Sequence, residues 1–143
     1  MAEHSYIISI GSNIHPEENI ERVKQILQEE QKLRGLSAII RTEPVGYQNQ
    51  PDFLNGACLV VSELDYDEFN RYLKNVENRL GRVRGPIKSG PRTMDLDIII
   101  HNGIVVHDDF YAHDHTRKPV QELLERFEIS PRDDRSALEQ EHE

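Results

Sequence analysis

Apolar and polar positions alternate along the chain between short runs and helical stripes. Tyr6 to Ile10 is a near-continuous apolar run, the pattern of a strand inside a sheet, and Gly11-Ser12-Asn13 is read as its end. Pro16 suits a first helical turn, Glu17 and Glu18 favour a helix N-terminus, and Ile20, Val23, Ile26 and Leu27 make an apolar stripe at helical spacing. Gly35 closes the connection to a second strand over Ser37 to Thr42, and Phe53 to Val61 reads as a third. Asp65 and Glu68 form a capping box opening a second helix. Phe69, Tyr72, Leu73, Val76 and Leu80 carry its stripe, and Gly81 stops it. Gly90-Pro91 then punctuates the chain before a strand from Asp95 to Ile100. In that strand Leu96, Ile98 and Ile100 are expected to face a core, and Asp95 and Asp97 to share the other face. His101-Asn102-Gly103 reads as a turn into a short strand over Ile104 to Val106. Val120, Leu123, Leu124 and Phe127 support a last, short amphipathic helix.

The 143 residues suggest one domain, 1–131, followed by a charged tail, 132–143, expected to be disordered. A hydrophobic content of 36% with 30% charged residues fits a soluble globular protein. The net charge of −9 argues against a nucleic-acid binder, whose affinity comes mainly from cations meeting phosphates. Arginines at 79, 82, 84 and 92 nevertheless concentrate positive charge, which suits a small anionic ligand. Cys58, the one cysteine, lies in an apolar run and reads as an inert core thiol. No signal peptide and no apolar run long enough to span a membrane are visible, so the cytoplasm is the expected location.

The candidate chemistry centres on Asp95 and Asp97. Two carboxylates on one strand face repel unless a cation joins them, and Mg²⁺ usually takes one or two carboxylates plus substrate phosphates. Arg92 stands three residues upstream, where its guanidinium can fork onto phosphate oxygens. The stretch from Gly81 to Gly90, rich in Arg, Gly and Pro, reads either as a solvated charge run or as a mobile cationic flap over phosphates. The long loop from Glu43 to Asp52 carries Gln48, Asn49 and Gln50, amides that suit either water or an uncharged heterocycle. Asn55 is unexpected inside a strand, so it either lies exposed or bonds something specific. Glu77 falls off the apolar stripe and reads by default as a surface acid. The histidines and aspartates between His107 and His115 match no zinc spacing.

These residues together resemble the hydroxymethyl-dihydropterin pyrophosphokinase family. The resemblance is carried by Gly11-Ser12-Asn13, Arg41-Thr42-Glu43-Pro44, the run from Gln50 to Asn55, Gly81-Arg82-Val83-Arg84, and the run from Gly90 to Asp97, and it spans about Tyr6 to Pro131. It implies an α+β, ferredoxin-like fold with an antiparallel-rich sheet and helices packed on it. It implies an ATP- and Mg²⁺-dependent enzyme of folate biosynthesis, a monomer acting on small molecules, in which pyrophosphate moves from ATP to the hydroxymethyl group and AMP leaves. Asp95 and Asp97 would hold two Mg²⁺ ions. Arg82, Arg84 and Arg92 would hold phosphates. Glu77, Ile98 and His113 match nucleotide-contacting positions. Thr42, Pro44, Val45 and Asn55 match the pterin pocket, and Phe53 sits where an aromatic stacks on the pterin.

The sequence also departs from that pattern. Pro119 and Gln121 stand where relatives usually carry an arginine and a second aromatic that covers the pterin. Lys88 and Ser89 stand where an arginine and a tryptophan are often found. These departures leave a second reading open, a paralogue that keeps the fold and binds nucleotide or pterin without the reaction, or with another acceptor.

Overall fold

The first apolar run becomes the central strand of a sheet. In the computed structural model, which describes residues 2–82 and 90–133, β1 (His4–Ser12) is paired antiparallel on both sides. Helix α1 (Pro16–Glu30) leads to β2 (Lys32–Leu36) and β3 (Ile40–Thr42), which pair with successive parts of β4 (Phe53–Ser62). Helix α2 (Tyr66–Arg79) leads to β5 (Asp95–His101), and a turn at Asn102-Gly103 leads to β6 (Ile104–Val105). The order across the sheet is β2-β4-β1-β5-β6. This is the ferredoxin-like α+β arrangement expected from the resemblance. Helices α3 (Asp109–Ala112) and α4 (Asp114–Arg126) follow β6.

Each face of the sheet has its own core because side chains alternate along β1. Tyr6, Ile8 and Ile10 pack with Val23 and Leu27 of α1 and with Phe69, Leu73 and Val76 of α2. Ile7 instead packs with Leu59, Phe110, and Val120, Leu123 and Leu124 of α4. Full burial of one such side chain is worth roughly 1.5–3 kcal/mol. Cys58 is in the first core, and burial pushes its thiol up to about 12, the inert state its sequence context suggested. No helix among the described residues is long and apolar enough to cross a membrane.

Several local expectations hold. Pro16 opens α1, the Asp65–Glu68 capping box is formed at both bonds, and Gly81 takes a φ of 83° just past α2. Asn102 and Gly103 both have positive φ, the two-residue turn that matches hairpin twist.

Others need correction. Strand β1 runs through Gly11 and Ser12 instead of ending before them, because both remain paired with β4. The predicted strand over Ser37 to Thr42 is split and begins earlier. Ser37 Oγ accepts the Ala57 N–H at 2.8 Å, which breaks the ladder between β2 and β3. Gly35 lies inside β2, under the Phe127 ring, where a Cβ would come within 2.6 Å of the ring edge. Ile100 does not share the face of Leu96 and Ile98. A register shift between Ile7 and Ile8 leaves Ile99 as an extra residue, so Ile100 joins the second core. Helix α4 also starts six residues before Val120 (120 − 114 = 6) and carries Pro119 inside it. The chain stays attached past Pro131, since Arg132 exchanges main-chain bonds with Gly103 and Val105.

Candidate active site

Sheet register sets the floor of the site. Gly11 of β1 is opposite Asn55 of β4 on one side and Asp95 of β5 on the other. Directly paired residues share a face, so an amide and a carboxylate flank a residue with no side chain. A Cβ on Gly11 would lie 2.9 Å from Asn55 Oδ1. The hollow above this row, about 80 Å³, is also lined by Thr42, Val45, Phe53, Arg92 and His115. Glu43 completes the lining.

The polar partners are specific. Asn55 is buried and donates from Nδ2 to Thr42 Oγ1, so it bonds a partner and does not lie exposed. Thr42, Val45, Phe53, Asn55, Arg92 and Asp95, all named from the sequence, meet at this one hollow. Pro44 is buried beside it, and its carbonyl accepts from Gln48 Nε2 at 2.6 Å. Gln50 Nε2 donates to the Tyr47 carbonyl at 2.7 Å. The loop amides at 48 and 50 therefore brace their own loop.

A charge cluster adjoins the hollow. Asp95 accepts from Arg82 Nη1 at 2.7 Å on one oxygen and lies 3.5 Å from Arg92 Nη1 on the other. Asp97 is 3.5 Å from Lys74 Nζ. Burial, then the Asp95 charge, push the Asp97 carboxyl above its ordinary range, while Lys74 and His107 pull it back. Such a pair of oxygen donors, held charged at a cost, suits a hard divalent cation. Among the described residues no group of three or more His, Cys, Asp or Glu side chains could hold a metal ion between them.

Glu77 is not a surface acid. It is fully buried, and its Oε2 accepts the Leu96 N–H at 2.7 Å. Lys74, one helical turn earlier, donates to the Leu96 carbonyl at 2.8 Å. β6 pairs only with Ile100 and His101, so the outer main-chain groups of Leu96 have no strand partner among the described strands. Two side chains of α2 take that place. Glu77 also lies 3.4 Å from Arg82 and 3.3 Å from Lys74.

Not every residue named from the sequence faces the hollow. The Ile98 side chain is in the first core, which leaves only its main chain near the acids. His113 caps the junction of α3 and α4, with Nε2 3.8 Å from Asp109, and the residue that lines the hollow is His115. Burial, then the neighbouring His113, lower the His115 pKa. Arg84, Lys88 and Ser89, with the rest of residues 83–89 of the suggested flap, lie outside the described residues.

Sequence reasoning missed Asn13, Lys74 and His115. Asn13 donates to Gln50 Oε1 at 2.8 Å and to the Pro51 carbonyl at 3.0 Å, and it accepts the Arg92 N–H at 2.8 Å. It joins three segments distant in sequence, and no local pattern announces that. Lys74 was findable in principle, because it shares a helical face with Glu77 at i, i+3.

The model of the 7,8-dihydro-6-hydroxymethylpterin-pyrophosphokinase family matches residues 7–125 of this chain. The chain is 33% identical over 132 residues to the 2-amino-4-hydroxy-6-hydroxymethyldihydropteridine pyrophosphokinase of Bacillus subtilis, covering 85% of this chain and 78% of that protein. It is 30% identical over 105 residues to the protein of the same name from Haemophilus influenzae, covering 71% of this chain and 65% of that one. A third relative, the folic acid synthesis protein fol1 of Schizosaccharomyces pombe, is 30% identical over 149 aligned positions, 84% of this chain. The chain spans only 20% of that relative's length. With most of its length matched, and with Gly11, Asn55, Arg92 and Asp95 of its motifs meeting at one hollow, the chain belongs to the 7,8-dihydro-6-hydroxymethylpterin-pyrophosphokinase family.

Proposed function

We propose that the chain transfers pyrophosphate from ATP to the hydroxymethyl group of 6-hydroxymethyl-7,8-dihydropterin and releases AMP, a step of folate biosynthesis. The observation that carries the reading is the cross-strand row of Asn55, Gly11 and Asp95. One end of that row offers an amide and the Thr42 hydroxyl to the edge of a heterocycle. The other offers a carboxylate and two arginines to phosphates.

In this reading Phe53 stacks on the pterin, with Pro44 and Val45 beside it, and Asn55 and Thr42 pair with its polar edge. The bare Gly11 lets the ring approach the sheet. That orientation aims the hydroxymethyl group at Asp95. Arg82 and Arg92 exchange Asp95 for phosphate oxygens, with Arg84 adding a third guanidinium. Glu77 acts through Arg82, and the Ile98 main chain and His113 lie on the nucleotide side. Asp95 and Asp97 would hold two Mg²⁺ ions, which would supply charge neutralisation for the triphosphate. The hydroxyl oxygen bonds to the β-phosphorus and gives up its proton to solvent as the bond from that phosphorus to the α,β-bridging oxygen breaks, and AMP leaves with that oxygen. Positioning and charge neutralisation are most of what such a transfer asks of a protein. The chain is read as a cytoplasmic monomer acting on small molecules, without nucleic acid or membrane.

Incubation with ATP, Mg²⁺ and the dihydropterin, followed by separation of nucleotides, tests this. AMP and pyrophosphorylated pterin in equal amounts are expected. ADP, or AMP formed at the same rate without the pterin, would overturn it.

A further inference from the structure

We propose that His115 supplies the second face of the acceptor pocket, its imidazole lying on the flat ring that Phe53 covers from the sheet. The inference rests on the pterin reading above. Among the described residues two ring side chains line the hollow, Phe53 at the start of β4 and His115 in the first turn of α4. One comes from the sheet and the other from the helix that packs on it. Asn55 and Thr42 line the same hollow with polar groups. Two rings and a polar edge are what a planar heterocycle needs.

Among the described residues no other ring side chain lines the hollow. Gln121 is exposed on α4 and does not line the hollow. Tyr111 is half exposed, and its hydroxyl bonds Asp133 at 3.0 Å. Phe127 is spent at the far end of the helix, over Gly35.

His115 is also held in place. Its ring stacks on His113, with centroids 5.0 Å apart and planes 18° from parallel, and His113 is anchored toward Asp109. The next residue, Thr116, is buried, as is Pro119 one turn on. A ring fixed before the ligand arrives loses little freedom on binding it. This assigns the loss of the usual C-terminal aromatic a local answer: the wall comes from the start of the helix rather than its middle.

The test is the Kd of 6-hydroxymethyl-7,8-dihydropterin, with Mg²⁺ and a non-hydrolysable ATP analogue present, for the full chain and its His115→Ala, His115→Asn and His115→Phe variants. A lost aromatic contact of roughly 0.5–1.5 kcal/mol is about 2- to 13-fold in Kd. Ala and Asn should both weaken pterin binding within that range, Asn because it keeps polar atoms but no plane. Phe should stay within about 2-fold of wild type, and the Kd of the ATP analogue should not move in any variant. Asn and Phe carry the comparison if Ala unfolds the helix start. Wild-type pterin affinity in His115→Asn, or equal losses in Asn and Phe, would overturn the inference and leave the activity standing. No pterin binding by the wild type would overturn the acceptor assignment and this inference with it.

Discussion

Replacing Glu77 tests how the acid pair is held. Its carboxylate replaces a missing strand partner, taking the Leu96 N–H, and it sits between Lys74 and Arg82 with no exposure to solvent. Glu77→Ala removes all of this and leaves a buried N–H and a mostly buried guanidinium, 13% exposed, short of a partner. Removing one member of a buried ionic network costs about 3–5 kcal/mol, of which an unsatisfied donor accounts for about 1–3. Arg82 keeps Asp95, so the lower half of that range applies, about 3–4 kcal/mol. For a domain of this size, that is a fall of roughly 9–12 °C in melting temperature at about 3 °C per kcal/mol. Glu77→Gln keeps an oxygen for the Leu96 N–H and loses the charge, so its cost should be about half as large. Urea unfolding of the three proteins, with equal m-values, would measure both differences. A Glu77→Ala protein within about 0.5 kcal/mol of wild type would refute the edge-strand role, as would a Gln variant as damaged as Ala.

Further tests address the rest of the site. Asp97 has a raised pKa in the folded chain, so the folded state binds more protons than the unfolded one. Its contribution to stability is therefore largest below about pH 4 and falls as pH rises through the raised folded value. Metal-free Asp97→Asn should melt higher than wild type at pH 7 and lack that decline; an Asn variant that melts lower would contradict it. Asn13→Ala should cost about 1–3 kcal/mol and weaken pterin and nucleotide together, because Asn13 ties loop 43–52 to the Arg92 turn; calorimetric titration of each ligand would show whether only one is affected. Gly35→Ala should destabilise by about 1–3 kcal/mol through contact with Phe127, and a paired Phe127→Leu change should recover part of the loss in thermal melts.

Much of this was legible before the fold was known, for a physical reason. Helix stripes, the Asp65–Glu68 box, Gly81 and the Asn102-Gly103 turn are encoded by neighbours, and all four appear where their local chemistry puts them. The acid pair was legible because period-2 alternation places Asp95 and Asp97 on one face. Alternation failed three residues after Asp97, at Ile100, because the bulge arises from pairing with β1, which strand composition does not record. Glu77 was misread for a similar reason. Its burial follows from the end of β6 short of Leu96, a tertiary fact. His115 was not singled out as a pocket residue, since its entry into the hollow depends on where α4 begins.

The most direct test of the acid pair as the reactive centre is AMP release by Asp97→Ala across a Mg²⁺ titration, with saturating ATP and dihydropterin. The account expects turnover to fall at least about 100-fold, as for loss of a main electrostatic contributor, and not to recover at high Mg²⁺. The fold should stay intact, with a melting temperature no lower than that of wild type. A variant that releases AMP at the wild-type rate with wild-type Mg²⁺ dependence would contradict the assignment of Asp97 to the metal and move the reactive centre elsewhere.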